Sequence, residues 1–178
     1  PGQIEKTNGN FVIKPIYTKV ISLCSDKNKM DFAVPGGLIG IGTSIDPSLC
    51  KDDILIGQII TYPGEKIPIC TEITIKYKAL KRDGEKIRFK KNQVLKLGID
   101  AVISKGIISD KNSSEKTINV KLENPICVLT NKVTIIVKSD TKIYKIGGIG
   151  KIVSYNELDT IKYRDDLENK ECKYNVIN

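Results

Sequence analysis

Apolar and polar side chains alternate strictly in two stretches of the chain. Over residues 71–78, Thr71, Ile73, Ile75 and Tyr77 fall on one side, and Glu72, Thr74, Lys76 and Lys78 on the other. Over 116–123, Ile118, Val120 and Leu122 alternate with Thr117, Asn119, Lys121 and Glu123. A period of two marks a strand with one buried and one wet face. Shorter β-rich runs occupy 11–13, 16–23, 57–61, 94–97, 102–108, 133–138 and 142–153. Asn8-Gly9 and Asp83-Gly84 are hairpin signals, because glycine takes positive φ without steric penalty. Pro15 interrupts a run that would otherwise be one long strand and predicts an edge or a bend. Helical spacing enters only near the end, where Asn156 is a candidate cap, with Asp159 three residues on, for a short helix carrying Leu158, Ile161 and Leu167.

Many short strands with turn signals roughly ten residues apart predict an all-β chain of barrels or sandwiches. A boundary is expected near Tyr62-Pro63-Gly64. Residues 64–155 are long enough for a complete small barrel. Residues 1–63 are short of strands and are expected to be a barrel whose opening strands lie upstream. Residues 156–178 form a tail. The chain starts at Pro1 rather than Met, so it is expected to begin inside a longer protein.

Composition narrows the chemistry more than it names it. No apolar run is long enough to span a bilayer as a helix. The net charge of +8 favours a polyanionic partner. Heavy use of lysine, isoleucine and asparagine would give the same excess from an AT-rich coding sequence, so charge alone does not select RNA. Cys24, Cys50, Cys70, Cys127 and Cys172 are widely spaced, with no C-x-x-C pair and no histidine, so no zinc pattern exists. They are expected to be small buried apolar residues in a reducing compartment. Lack of histidine also removes the commonest general base. The glycine runs 36–42 and 147–151 lack the Lys-Ser/Thr ending of a phosphate loop. Both are expected to be strands where missing side chains permit close backbone approach. No catalytic residue and no metal ligand is predicted.

One segment carries a resemblance. Ala33-Val34-Pro35-Gly36-Gly37-Leu38-Ile39-Gly40-Ile41-Gly42-Thr43, followed by Ile45-Asp46-Pro47, Leu49 and Gly57-Gln58, resembles the gamma subunit of archaeal and eukaryotic translation initiation factor 2. Pro1-Gly2, Lys14-Pro15-Ile16, 20–23, 91–95, Asn124-Pro125-Ile126-Cys127 and Ile146-Gly147 keep the family's order, and Leu49-Cys50 favours its eukaryotic form. The likeness covers about residues 1–155. It departs at Lys138-Ser139, where the family has an arginine pair, and at Tyr144, where it has tryptophan.

The resemblance implies two consecutive β-barrels of the kind in domains 2 and 3 of elongation factor Tu, the first incomplete at its N-terminus. It implies a cytoplasmic binding scaffold rather than an enzyme, with GTP and magnesium held by a GTP-binding domain outside this chain. The implied partners are methionyl initiator tRNA, the alpha and beta subunits (beta mainly through the missing domain) and the small ribosomal subunit, with no membrane. By analogy with elongation factor Tu, the acceptor end of the tRNA would meet Ser22, Gly36, Gly37, Leu38, Gly40, Gly42 and Thr43. The glycines could instead serve tight packing of neighbouring strands. Lys76, Lys78, Lys81, Arg82, Lys86, Arg88, Lys90 and Lys91 form the densest basic stretch, around an expected hairpin. They would contact RNA phosphates or protect a solvated edge from aggregation. Alternatives are the barrels of a selenocysteine-specific elongation factor or a sulfate-activating GTPase, and a module contacting only the alpha subunit.

Overall fold

The computed structural model describes residues 2–7, 10–34, 36–62, 65, 67–82, 85–139 and 143–158. Among them the chain is all-β, broken only by one turn of 3-10 helix at Pro47–Cys50. The first unit contains β1 (Gln3–Thr7), β2 (Asn10–Lys14), β3 (Val20–Ser25), β4 (Asn28–Met30) and β5 (Gly40–Thr43). β1 and β2 form an antiparallel hairpin that pairs Thr7 with Asn10, as the Asn8-Gly9 signal predicts, although those two residues lie outside the described set. β3 is flanked by β4 and β5 in a three-stranded sheet.

The second unit contains β6 (Ile69–Ala79), the short hairpin β7 (Lys81–Arg82) and β8 (Glu85–Lys86), β9 (Val94–Ile99), β10 (Val102–Asn112), β11 (Thr117–Cys127), β12 (Lys132–Lys138) and β13 (Tyr144–Glu157). Six of these strands close a barrel in the order β10-β11-β6-β13-β12-β9, every pair antiparallel. The alternation seen in the sequence is what closes it. Ile73 and Ile75 of β6, Ile118 and Val120 of β11, Leu97 of β9 and Ile135 of β12 point inward and are fully buried. Each contributes about 1.5–3 kcal/mol relative to an exposed position. Phe89, 1% exposed, adds to this core and meets Tyr77 edge-on, with ring centroids 4.8 Å apart. Pro125 falls in the register shift between Lys121 and Ile126, where a strand tolerates a residue without an N–H.

Among the described residues up to Tyr62, Ile13 alone is buried. It forms a small cluster with Ile69 and Cys127 of the barrel, joined by Ile59, Ile67 and Leu158. Among the described residues, the one buried side chain of the first unit therefore packs against residues of the second.

Several local expectations are overturned. Residues 16–19 and 57–61 are not strands; Gly57 turns with φ of +76° instead. Gly36 and Gly37 sit in a bend, and only Gly40–Thr43 of that glycine run is strand. Asn156 caps no helix: it pairs with Glu72 in the β13–β6 ladder. The Leu158 amide continues the contact, donating to the carbonyl of Ile69 at 2.7 Å. A cap offers one side-chain hydrogen bond, whereas the ladder with β6 satisfies successive main-chain groups. Asp159, Ile161 and Leu167 lie outside the described residues.

Candidate nucleic-acid interface

In the first unit, β3 and β5 pair Ser22 with Gly42, Leu23 with Ile41 and Cys24 with Gly40, with a register shift between Val20 and Ser22. Residues two apart on a strand share a face. Ser22, Gly40 and Gly42 therefore lie together on one face, and Thr43 lies with Ile41 on the other. Leu38 precedes β5 with 85% of its surface exposed, its carbonyl accepting from the Ser25 hydroxyl at 3.4 Å. Near it in sequence, Phe32 (77%) and Val34 (66%) are also largely exposed.

The glycines divide by what each one does. At Gly42 a Cβ would meet the Ser22 hydroxyl, which would have to rotate away, so the glycine lets the Ser22 side chain lie across β5. Gly36 and Gly37 have φ of +127° and +71°, with open space where a Cβ would stand. Their requirement is conformational, and among the described residues none comes within 4 Å of where a Cβ would stand.

Other residues of the same segment hold the chain in shape. The Asp46 carboxylate accepts from the Ser48 amide at 2.8 Å, which caps the 3-10 turn opened by Pro47 and holds its carboxyl below the ordinary value. Gln58 grips Gly2: its side-chain oxygen accepts from the Gly2 amide at 2.6 Å, and its side-chain nitrogen donates to the Gly2 carbonyl at 3.3 Å. Gly57 makes the turn that aims Gln58, and its own position is crowded by Val102 of the barrel.

The basic stretch predicted from sequence is divided by the fold. Lys76 and Lys78 stand on the outer face of β6. Lys81, Arg82 and Lys86 belong to the β7–β8 hairpin, with Asp83 and Gly84 outside the described residues. Arg88, Lys90 and Lys91 are exposed around the buried Phe89, and Lys91 reaches Asp110 at 3.9 Å. Lys76 and Lys78 instead line a groove of about 770 Å³ with Lys132 and Lys151, two lysines the sequence pattern did not single out. Asp100 also lines the groove, and its carboxylate accepts from the amides of Leu129 (2.9 Å) and Thr130 (3.2 Å) and from the Thr130 hydroxyl (2.6 Å). Burial raises the Asp100 carboxyl, but these three bonds outweigh it and hold it below its usual value.

The cysteine expectation holds at two positions. Cys70 and Cys127 are buried, and burial, reinforced by Glu157 and Cys127, pushes the Cys70 thiol up to about 11. Cys50 is exposed and Cys24 half-buried; Cys172 lies outside the described residues. Among the described residues no cluster of three potential metal ligands occurs, and no helix is long and apolar enough to cross a membrane.

No family model matches the chain. Eukaryotic translation initiation factor 2 subunit 3 of Drosophila melanogaster is 35% identical to it over 139 residues, 71% of this chain. The chain belongs to the gamma-subunit family of initiation factor 2. It spans 29% of the length of that relative. The gamma-subunit resemblance and the all-β architecture thus agree with the sequence pattern, and the selenocysteine-specific and sulfate-activating alternatives lose their ground.

Proposed function

We propose that this chain is the tRNA-facing scaffold of an initiation factor 2 gamma subunit. Together with a GTP-binding domain elsewhere in the full-length protein, it would hold methionyl initiator tRNA in a GTP-dependent complex. The factor's alpha and beta subunits and the small ribosomal subunit complete the assembly. The chain itself makes and breaks no bond; GTP hydrolysis, with its magnesium, belongs to the other domain. Its work is cytoplasmic and consists of positioning.

The observation that carries the proposal is the segment Gly36-Gly37-Leu38. Asp46, Gly57 and Gln58 each have a role in the chain's own folding, whereas the Leu38 side chain is 85% exposed and no described residue lies within 4 Å of the Cβ positions of the two glycines. Open main chain beside an exposed apolar side chain suits an unstacked acceptor-end base and its ribose-phosphate backbone.

The test uses the full-length subunit with GTP and labelled methionyl initiator tRNA. Leu38→Asp should melt with wild type, since substitutions at exposed positions rarely move stability by more than about 0.5 kcal/mol. Its affinity for the tRNA should fall about tenfold, equivalent to about 1.4 kcal/mol. Gly37→Val should fall further, because it also strains the left-handed backbone. A folded Leu38→Asp variant that binds the tRNA like wild type would remove this surface from the interface.

A further inference from the structure

The outer face of the barrel carries a row of like charges that no described residue balances. Lys132 of β12 lies directly opposite Lys151 of β13, and Lys151 lies directly opposite Lys76 of β6. Lys78 extends the row along β6 into the same groove. All four are exposed, and like charges directly opposed across strands destabilise a sheet. The three ion pairs among the described residues involve Lys14, Lys91 and Lys105 instead. Asp100, the one carboxylate lining the groove among the described residues, is already engaged by Leu129 and Thr130. The row is not purely polar. On β13, Lys151 stands between Ile149 and Val153, which are 51% and 54% exposed, and Ile149 lines the groove. An occupant that suits this surface carries both carboxylates and apolar side chains.

Residues 159–178, which follow β13 and lie outside the described residues, have that composition. Asp165-Asp166-Leu167-Glu168 is the one place in the sequence with three carboxylates in four residues, and Ile161 and Tyr163 precede it. We infer that this tail doubles back over the outer face of β13 and seats its acidic run on the lysine row. The lengths agree. Lys151 lies seven residues before Leu158, about 24 Å of strand at about 3.4 Å per residue. Asp165 and Glu168 lie seven and ten residues beyond Leu158, and an extended chain spans at most about 36 Å over the longer of these. The Leu158 amide still bonds the Ile69 carbonyl, so the return begins after it, and the surplus length supplies the turn. β6 and β12 occupy both edges of β13, so the tail cannot join the sheet as a strand. Side chains hold it instead: the carboxylates on Lys151, Lys132 and Lys76, and Leu167 with Tyr163 against Ile149 and Val153. Exposed ion pairs are individually weak, but a short tether keeps the acidic run at a millimolar effective concentration beside its lysines. The docked tail is a strap that neutralises the row and closes the groove to other anions. It is independent of the acceptor-end surface, which belongs to the first unit.

The test uses the whole chain, alone and at low salt. A zero-length carbodiimide should join Asp165, Asp166 or Glu168 to Lys151, Lys132 or Lys76, read by mass spectrometry after proteolysis. With isotopically heavy and light chains mixed in equal amounts, the links should stay within single chains. Acetylation of Lys132 and Lys151 should be severalfold faster in a chain ending at Leu158 than in the whole chain, while exposed Lys29 and Lys121 react alike in both. The full-length variant carrying Asp165→Asn, Asp166→Asn and Glu168→Gln should behave like the shortened chain, which separates loss of charge from loss of the segment. High salt should expose Lys132 and Lys151 in the wild type by screening the pairs, with no effect on the shortened chain. Links scattered over the barrel's other lysines would overturn the proposal. So would heavy–light links, which would assign the tail to a second copy, or equal acetylation of Lys132 and Lys151 with and without the acidic run.

Discussion

Replacing Asp100 with alanine removes three hydrogen bonds and leaves a methyl group on left-handed backbone, where Asp100 has φ of +49°. The donors belong to Leu129 and Thr130, so the bonds tie the β9–β10 turn to the β11–β12 turn across one end of the barrel. Leu129 is 57% exposed, so water replaces the lost partner and no desolvation penalty remains. The bonds then contribute about 2 kcal/mol together, and alanine in the left-handed region costs about 1 kcal/mol more. A loss of about 3 kcal/mol corresponds to a fall in melting temperature of roughly 10–20 °C for a domain of this size. Asp100→Asn keeps an acceptor and tolerates the backbone, and should lose only about 1 kcal/mol. Urea unfolding followed by far-ultraviolet circular dichroism at pH 7 measures both.

The pH dependence supplies a sign. The Asp100 carboxyl is depressed in the folded chain, so its contribution is fully present above the ordinary value of 3.8 and is lost as pH falls through the lower, folded value. The difference between wild type and Asp100→Ala should therefore narrow below about pH 4. An alanine variant within about 0.5 kcal/mol of wild type would refute the reasoning. So would a difference that stays constant as the carboxylate is protonated.

Two further outcomes follow from the geometry. Gln58→Ala should release Gly2 and accelerate hydrogen exchange in β1 and β2, at a local loss of about 1–2 kcal/mol, while the barrel's amides exchange unchanged; an unaltered hairpin would contradict the proposed grip. Iodoacetamide at pH 8 should alkylate exposed Cys50 in the native chain and spare Cys70, which is buried with its thiol pushed up to about 11, until the barrel unfolds. Mass spectrometry reads the two sites separately, and equal rates would show that the barrel opens at Cys70.

What could be seen in the sequence was what local pattern encodes. The alternation at 71–78 and 116–123 gives β6 and β11 because the period of two is a property of each strand alone. The dipeptides Asn8-Gly9 and Asp83-Gly84 likewise announce the hairpins on either side of them. Register between distant strands leaves no such trace. Nothing near Lys132 or Lys151 reports that pairing will align them with Lys76. Asn156 was misplaced for the same reason, since the β6 strand that claims it lies far earlier in the chain. Gly57-Gln58 was legible as a family signature, but its partner is Gly2, 56 residues away. Of the proposed acceptor-end set, strand alternation puts Ser22, Gly40 and Gly42 on one face. The bend that isolates Gly36 and Gly37 has no period to betray it.

The place of β6 between β11 and β13 also has a consequence for synthesis. β6 is the first barrel strand to leave the ribosome, and β13, which covers its other edge, is the last. Every residue of β7 to β12 must be made in between, at about 5–20 residues per second. For several seconds the nascent chain carries a long strand with an open edge and an unfilled apolar face. Nascent-chain folding should therefore finish in one late step, when the final strand arrives, and chaperone contacts should concentrate on β6 until then.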